Sequence, residues 1–185
     1  MRFWAGLALL GLVLAGCASV APPVDPQAAS ISSADALVAR LPESVENFRR
    51  GGTTVLSEPA PGGREVAYAT GNRGIAGFVQ VIRRPEPMVA AQAEAELQRF
   101  VSETTSGTAM HRRLRARATP ALPAENPVLR CVELDGIFGR QSVESLACVG
   151  AFGGQLVRLR LSHIRREGRM AEARGFAEAV AAALR

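Results

Sequence analysis

Cys17 is the first side chain in the sequence with reactive chemistry to offer. It closes Leu14-Ala15-Gly16-Cys17, directly behind an apolar run. A thiol acts as a nucleophile through its thiolate, so alkylation or acylation at sulfur is the reaction such a site can serve. Two further cysteines, Cys131 and Cys148, make an even pair. In an oxidising compartment such a pair is expected to form a disulfide. No Cys-x-x-Cys spacing occurs, so no redox dithiol is expected. The two histidines are isolated: His111 opens an Arg-rich strand pattern and His163 closes another, where solvated rings are expected. Glu167 follows His163 by four residues but has no third ligand nearby. There is no His-x-x-x-His and no Cys cluster, so no metal site is expected. Gly-x-Ser-x-Gly is also missing, so no hydrolase elbow is signalled. Glu133 and Asp135 face arginines and are expected to form ion pairs rather than to act as acids. No catalytic residue and no cofactor is expected, and enzymatic activity is not.

The residues around Cys17 belong to a leader. Arg2 supplies a minimal positive start, Ala5 to Leu14 is apolar, and small residues follow. That is the layout of a secretory signal. The apolar run is shorter than the roughly 20 residues a membrane-spanning helix needs. Leu14, Ala15, Gly16 and Cys17 resemble the lipobox of bacterial lipoproteins. The resemblance implies cleavage before Cys17, a diacylglycerol on its sulfur and an acylated amine, since stable anchoring takes more than one chain. It divides the chain into a signal peptide (1–16), a lipid-anchored tether (17–31) and one periplasmic domain (32–185). Ala18 and Ser19 follow the cysteine, and no Asp does. By enterobacteria-like sorting this implies the outer membrane, facing the periplasm. The implied partners are the membrane, through the anchor, and an envelope protein or cell-wall component.

Removal of residues 1–16 from 185 leaves 169, enough for one domain with its own core. Lys is absent and all 22 basic residues are Arg. Each positive group is therefore a planar fork, charged at any relevant pH and suited to carboxylates and phosphates. Pro22, Pro23 and Pro26 among small residues give the tether some polyproline stiffness.

The pattern downstream is strand-rich. Ser32 and Asp35 form a capping-box spacing for a short helix through Leu37, Val38 and Leu41, stopped at Pro42. Phe48 is expected to be buried where the chain enters the sheet. Strands are predicted over 53–57, 65–70 and 75–83, the last two joined at Asn72-Arg73-Gly74. Pro87 suits the first turn of a helix. Val89, Ala93, Leu97, Phe100 and Val101 fall on one face of it, and Gly107 ends it. Strands follow over 111–118, 128–135, 143–151 and 155–163. A final helix after Gly168 carries an apolar face of Ala173, Phe176, Ala177, Val180 and Leu184.

Register can be argued from the sequence. If Gly139-Arg140 is a two-residue turn, Cys131 falls opposite Cys148, close enough to bridge. Two separate buried thiols are the alternative. The bridge closes a loop of about 17 residues, worth about 3 kcal/mol in the chain-entropy account. A three-residue loop Phe152-Gly153-Gly154 then pairs Val149 with Val157 and Cys148 with Arg158. A two-residue loop is rejected because it sets Cys148 opposite apolar Leu159. On this register one outer face carries Arg113, Arg115, Arg117, Arg158 and Arg160 among Glu133, Asp135 and Glu144. Such a face can bind lipid phosphates, lipopolysaccharide or peptidoglycan carboxylates. It can equally be a solvated, part-neutralised sheet surface. Nucleic acid is not an expected partner, because stacking aromatics are sparse there.

These elements define an α+β domain: an antiparallel sheet of about six or seven strands with two main helices, 87–106 and 169–184. The order of strands, helix, four strands and helix resembles the Mog1/PsbP-like α/β/α layout. That resemblance implies an accessory or binding module.

Overall fold

A computed structural model describes residues 34–57, 62–106 and 112–185. Helix α1 covers 34–40. After it come β1 (Ser44–Val45), β2 (Phe48–Val55), β3 (Arg64–Thr70) and β4 (Ile75–Ile82). A 3-10 turn (Ala90–Gln92) leads into α2 (Ala93–Ser106). The second half holds β5 (Arg112–Ala118), β6 (Ala121–Leu122), β7 (Leu129–Phe138), β8 (Gln141–Phe152), β9 (Gln155–Ile164) and α3 (Arg169–Leu184). The strands form one antiparallel sheet in the order β1-β2-β3-β4-β9-β8-β7-β5, with β6 also on β7. The two strands beyond the expected seven, β1 and β6, are two residues each. Strands this short leave no periodicity to read.

The leader, the tether, Ser32, Glu58 to Pro61, Gly107 and His111 lie outside the described residues. Helix α2 starts later than Pro87 implied. Gln92 folds back so that its Oε1 accepts the Val89 N–H at 3.1 Å, capping the entry, and Val89 stays exposed. Ala93, Leu97 and Phe100 of the predicted stripe are buried. In α3 all five predicted core residues are buried.

Both faces of the sheet are covered. Helices α1 and α3 pack with Phe48, Tyr68, Val79, Leu129, Cys131, Leu146, Cys148 and Leu159. Helix α2 packs on the other face with Val132, Leu134, Ala147, Val149 and Leu156. A strand buried on both faces reads as a near-continuous apolar run, as Leu146 to Val149 does.

The first hairpin register stands: Cys131 pairs with Cys148, and the two form a disulfide. Gly139 has φ 61°, as a turn with Gly first requires. The second register is corrected. Phe152 pairs with Gln155 across Gly153-Gly154, with φ of 53° and 75°, and Cys148 lies opposite Leu159. Rejecting the two-residue loop takes the cysteine face to be solvated. Helix α3 covers that face, so an apolar partner is what the position demands.

Candidate functional site

The corrected register divides the five arginines. Arg158 and Arg160 pair with Val149 and Ala147, on the α2 face. Arg115 pairs with Asp135, and Arg113 holds the register position opposite Ile137. Arg117 sits at a β-bulge and donates to Glu144 at 3.1 Å, on the opposite side of the sheet from Arg158. There is no common five-Arg surface. Arg158 is 7 % exposed and donates to Glu96 at 3.3 Å and to Glu103 at 2.9 Å. Its guanidinium lies 5.1 Å from the centre of the Phe100 ring. Arg84 and Arg99 close on the same Glu96 carboxylate at 3.1 and 2.8 Å. This cluster ties α2 to the sheet.

The carboxylates on the α3 side are also committed. Glu133 accepts from Arg174 of α3. Arg165 reaches Asp135 at 2.9 Å and Glu144 at 3.2 Å. His163 is not solvated as expected: it is buried, with Nδ1 3.1 Å from the Ile164 carbonyl oxygen and 3.9 Å from Glu144. The predicted ion pairing of Glu133 and Asp135 therefore holds, with Arg174 and Arg165 as partners rather than the sheet arginines. Among the described residues, no three of His, Cys, Asp and Glu gather as metal ligands would.

Beside a 540 Å³ concavity lined by charges of both signs, Glu46 and Glu172 with Arg49 and Arg169, two more concave surfaces stand out among the described residues. The first is a 280 Å³ groove between the end of α2 and the β7–β8 hairpin, lined by Thr104, Leu114, Phe138, Val143, Arg160 and Ser162 among others. Ser145 and Ser162 satisfy each other on its floor at 2.8 Å. Ile137 and Phe138, 55 % and 46 % exposed, form its lip at the hairpin tip. The second is a 340 Å³ cleft bounded by the β3–β4 turn (Asn72, Arg73, Gly74), the end of β9 (Ile164), Arg166 and the start of α3 (Arg169). Neither was singled out from sequence. In the sequence Asn72-Arg73-Gly74 signals only a turn, and Ile137-Phe138 lies beyond the strand predicted over 128–135. The available signals were an Arg inside a turn, and two large apolar residues just before a turn glycine.

The fold is α+β and PsbP-like. No family model matches the chain, and no curated protein matches it. Among solved structures it is similar to cyanobacterial PsbP (CyanoP) from Synechocystis sp. PCC 6803, with a TM-score of 0.51 and 16 % identity. The likeness covers 76 % of this chain and 92 % of that one. At this identity the likeness is one of fold.

Proposed function

We propose that this chain is a lipid-anchored lipoprotein of the cell envelope, held at the outer membrane and facing the periplasm. In this reading its domain is a non-catalytic module that docks a protein partner. The anchor is supported by the Leu14-Ala15-Gly16-Cys17 lipobox pattern behind an apolar leader. The observation that carries the docking role is the groove with Ile137 and Phe138 at its lip. Large apolar side chains about half exposed beside a concavity mark an interaction site more than they serve folding. The buried carboxylates Glu96, Glu133 and Glu144 are each ion-paired with arginines that tie elements of the fold together.

Two measurements on the native protein test this. Intact mass and membrane fractionation should show a chain beginning at acylated Cys17, and Cys17→Ala should release it from the membrane fraction. An intact Met1, or a free Cys17 in soluble protein, overturns the anchor. Crosslinking in intact cells should give a discrete protein adduct that Ile137→Ser/Phe138→Ser removes while the fold persists. An adduct unchanged in that variant overturns the groove as the docking surface.

A further inference from the structure

We infer that the cleft between the β3–β4 turn and the start of α3 is a binding site for a phosphoryl oxyanion, free or as a lipid headgroup. Three arginines line one 340 Å³ space: Arg73 from the turn, Arg166 from the β9–α3 connection and Arg169, the first residue of α3. No carboxylate lines it. Arg169 has one committed nitrogen, Nη1, which donates to Glu172 at 3.1 Å. A methyl at Gly74 would lie 3.0 Å from Arg169 Nη2, so that guanidinium rests against the turn rather than extending into solvent. The side chain of Arg169 is 17 % exposed.

The contrast with the rest of the molecule carries the inference. Where arginines gather elsewhere, a carboxylate sits among them, as Glu96 does for Arg84, Arg99 and Arg158, and Glu144 for Arg117 and Arg165. Around this cleft Arg73 and Arg166 make no ion pair among the described residues, and Glu172 meets Arg169 alone. Arg73 and Arg166 line the concavity with no carboxylate partner and Arg169 commits one nitrogen to Glu172, so an anion with several acceptor oxygens can meet the donors that remain. Guanidinium forks match phosphate oxygens two at a time, which favours a phosphoryl group over a halide. Exposed Ile164 on the rim offers apolar contact to whatever carries the group. The turn is built to hold Arg73 outward: Asn72 Oδ1 accepts from Gly74 N–H and pairs with Thr70 Oγ1, both at 2.9 Å, and Arg73 sits at φ 51°.

The inference rests on residues apart from the groove, so its failure leaves the docking proposal standing. The test titrates the purified full chain with two probes, inorganic phosphate and water-soluble dihexanoyl phosphatidic acid, following Arg Nε–H resonances by NMR. Saturable shifts confined to arginines of the cleft are expected for both probes. A lipid probe that binds ten-fold tighter identifies the headgroup as the source. Equal affinity identifies the phosphoryl group by itself. Arg73→Gly/Arg166→Gln should weaken both at least ten-fold, with Gly suiting the positive φ at position 73. Arg115→Gln/Arg140→Gln removes the same charge elsewhere and should leave affinity within two-fold. Equal weakening by both variants, or no saturable shift in the wild type, overturns the inference. Should the first variant not fold, Arg166→Gln alone, expected to weaken binding at least three-fold, takes its place.

Discussion

Glu96 is 3 % exposed and holds Arg84, Arg99 and Arg158 within 3.3 Å. A buried carboxylate with three cations costs desolvation that its pairs must offset, so removing it leaves Arg158 buried with Glu103 as its remaining acid. Glu96→Gln is expected to cost on the order of 3 kcal/mol in urea unfolding. A loss under about 1 kcal/mol would show that Glu103 alone neutralises Arg158. The single tyrosine gives a second residue-scale measurement. Tyr68 is buried and donates to the Pro42 carbonyl at 2.7 Å. Burial pushes its phenol above 10.0, with Arg50 pulling partly back. An unfolded phenol ionises near pH 10, and the folded one holds its proton longer. The stability this gives is present below pH 10 and is lost as pH rises toward the raised value. Absorbance at the tyrosinate band should therefore titrate later in folded than in urea-unfolded protein, and Tyr68→Phe should flatten the loss of stability in alkali. Coincident titration curves would contradict this.

At the scale of elements, β4 and β9 leave no room for a side chain at Gly77, which pairs with Leu161. A Cβ there would lie 1.8 Å from the Arg160 carbonyl oxygen, a backbone atom that cannot turn aside. Gly77→Ala is expected to destabilise by about 3 kcal/mol or more. Gly71→Ala, with nothing within 4 Å of the added methyl, should stay within about 0.5 kcal/mol. Comparable denaturation midpoints for the two would mean that β4 and β9 separate without cost. Much of the element list was legible because its signals are local. The β7–β8 register followed from one turn, and the α3 stripe from helical spacing. The β8–β9 register was not legible, because a choice between two and three loop residues turned on which face is buried. That depends on α3, which lies outside the hairpin. His163 differs from expectation for a related reason: a strand end looks solvated, but here it lies between Ile75 of β4 and Glu144 of β8 and is buried.

At the scale of the molecule, the sheet is enclosed by α1 and α3 on one face and α2 on the other. That enclosure decides the fate of the charged strand residues. Arg158 lies among apolar neighbours on the α2 face and would be costly there without Glu96 and Glu103. Among the described residues, the same enclosure leaves the β7–β8 tip partly exposed beyond the end of α2, beside the groove, and sets the β3–β4 turn against the start of α3, beside the cleft.

The sequence alone determined the α+β class, most strand positions, the Cys131–Cys148 pairing and the apolar face of α3. Each follows from period, turn chemistry or the reach of one hairpin, so neighbours along the chain suffice. Tertiary structure decided which arginines share a surface, which carboxylates they meet and where concave surfaces remain. Those outcomes depend on helices laid over strands from distant parts of the chain, and a one-residue change of register moves every side chain of a strand to the other face.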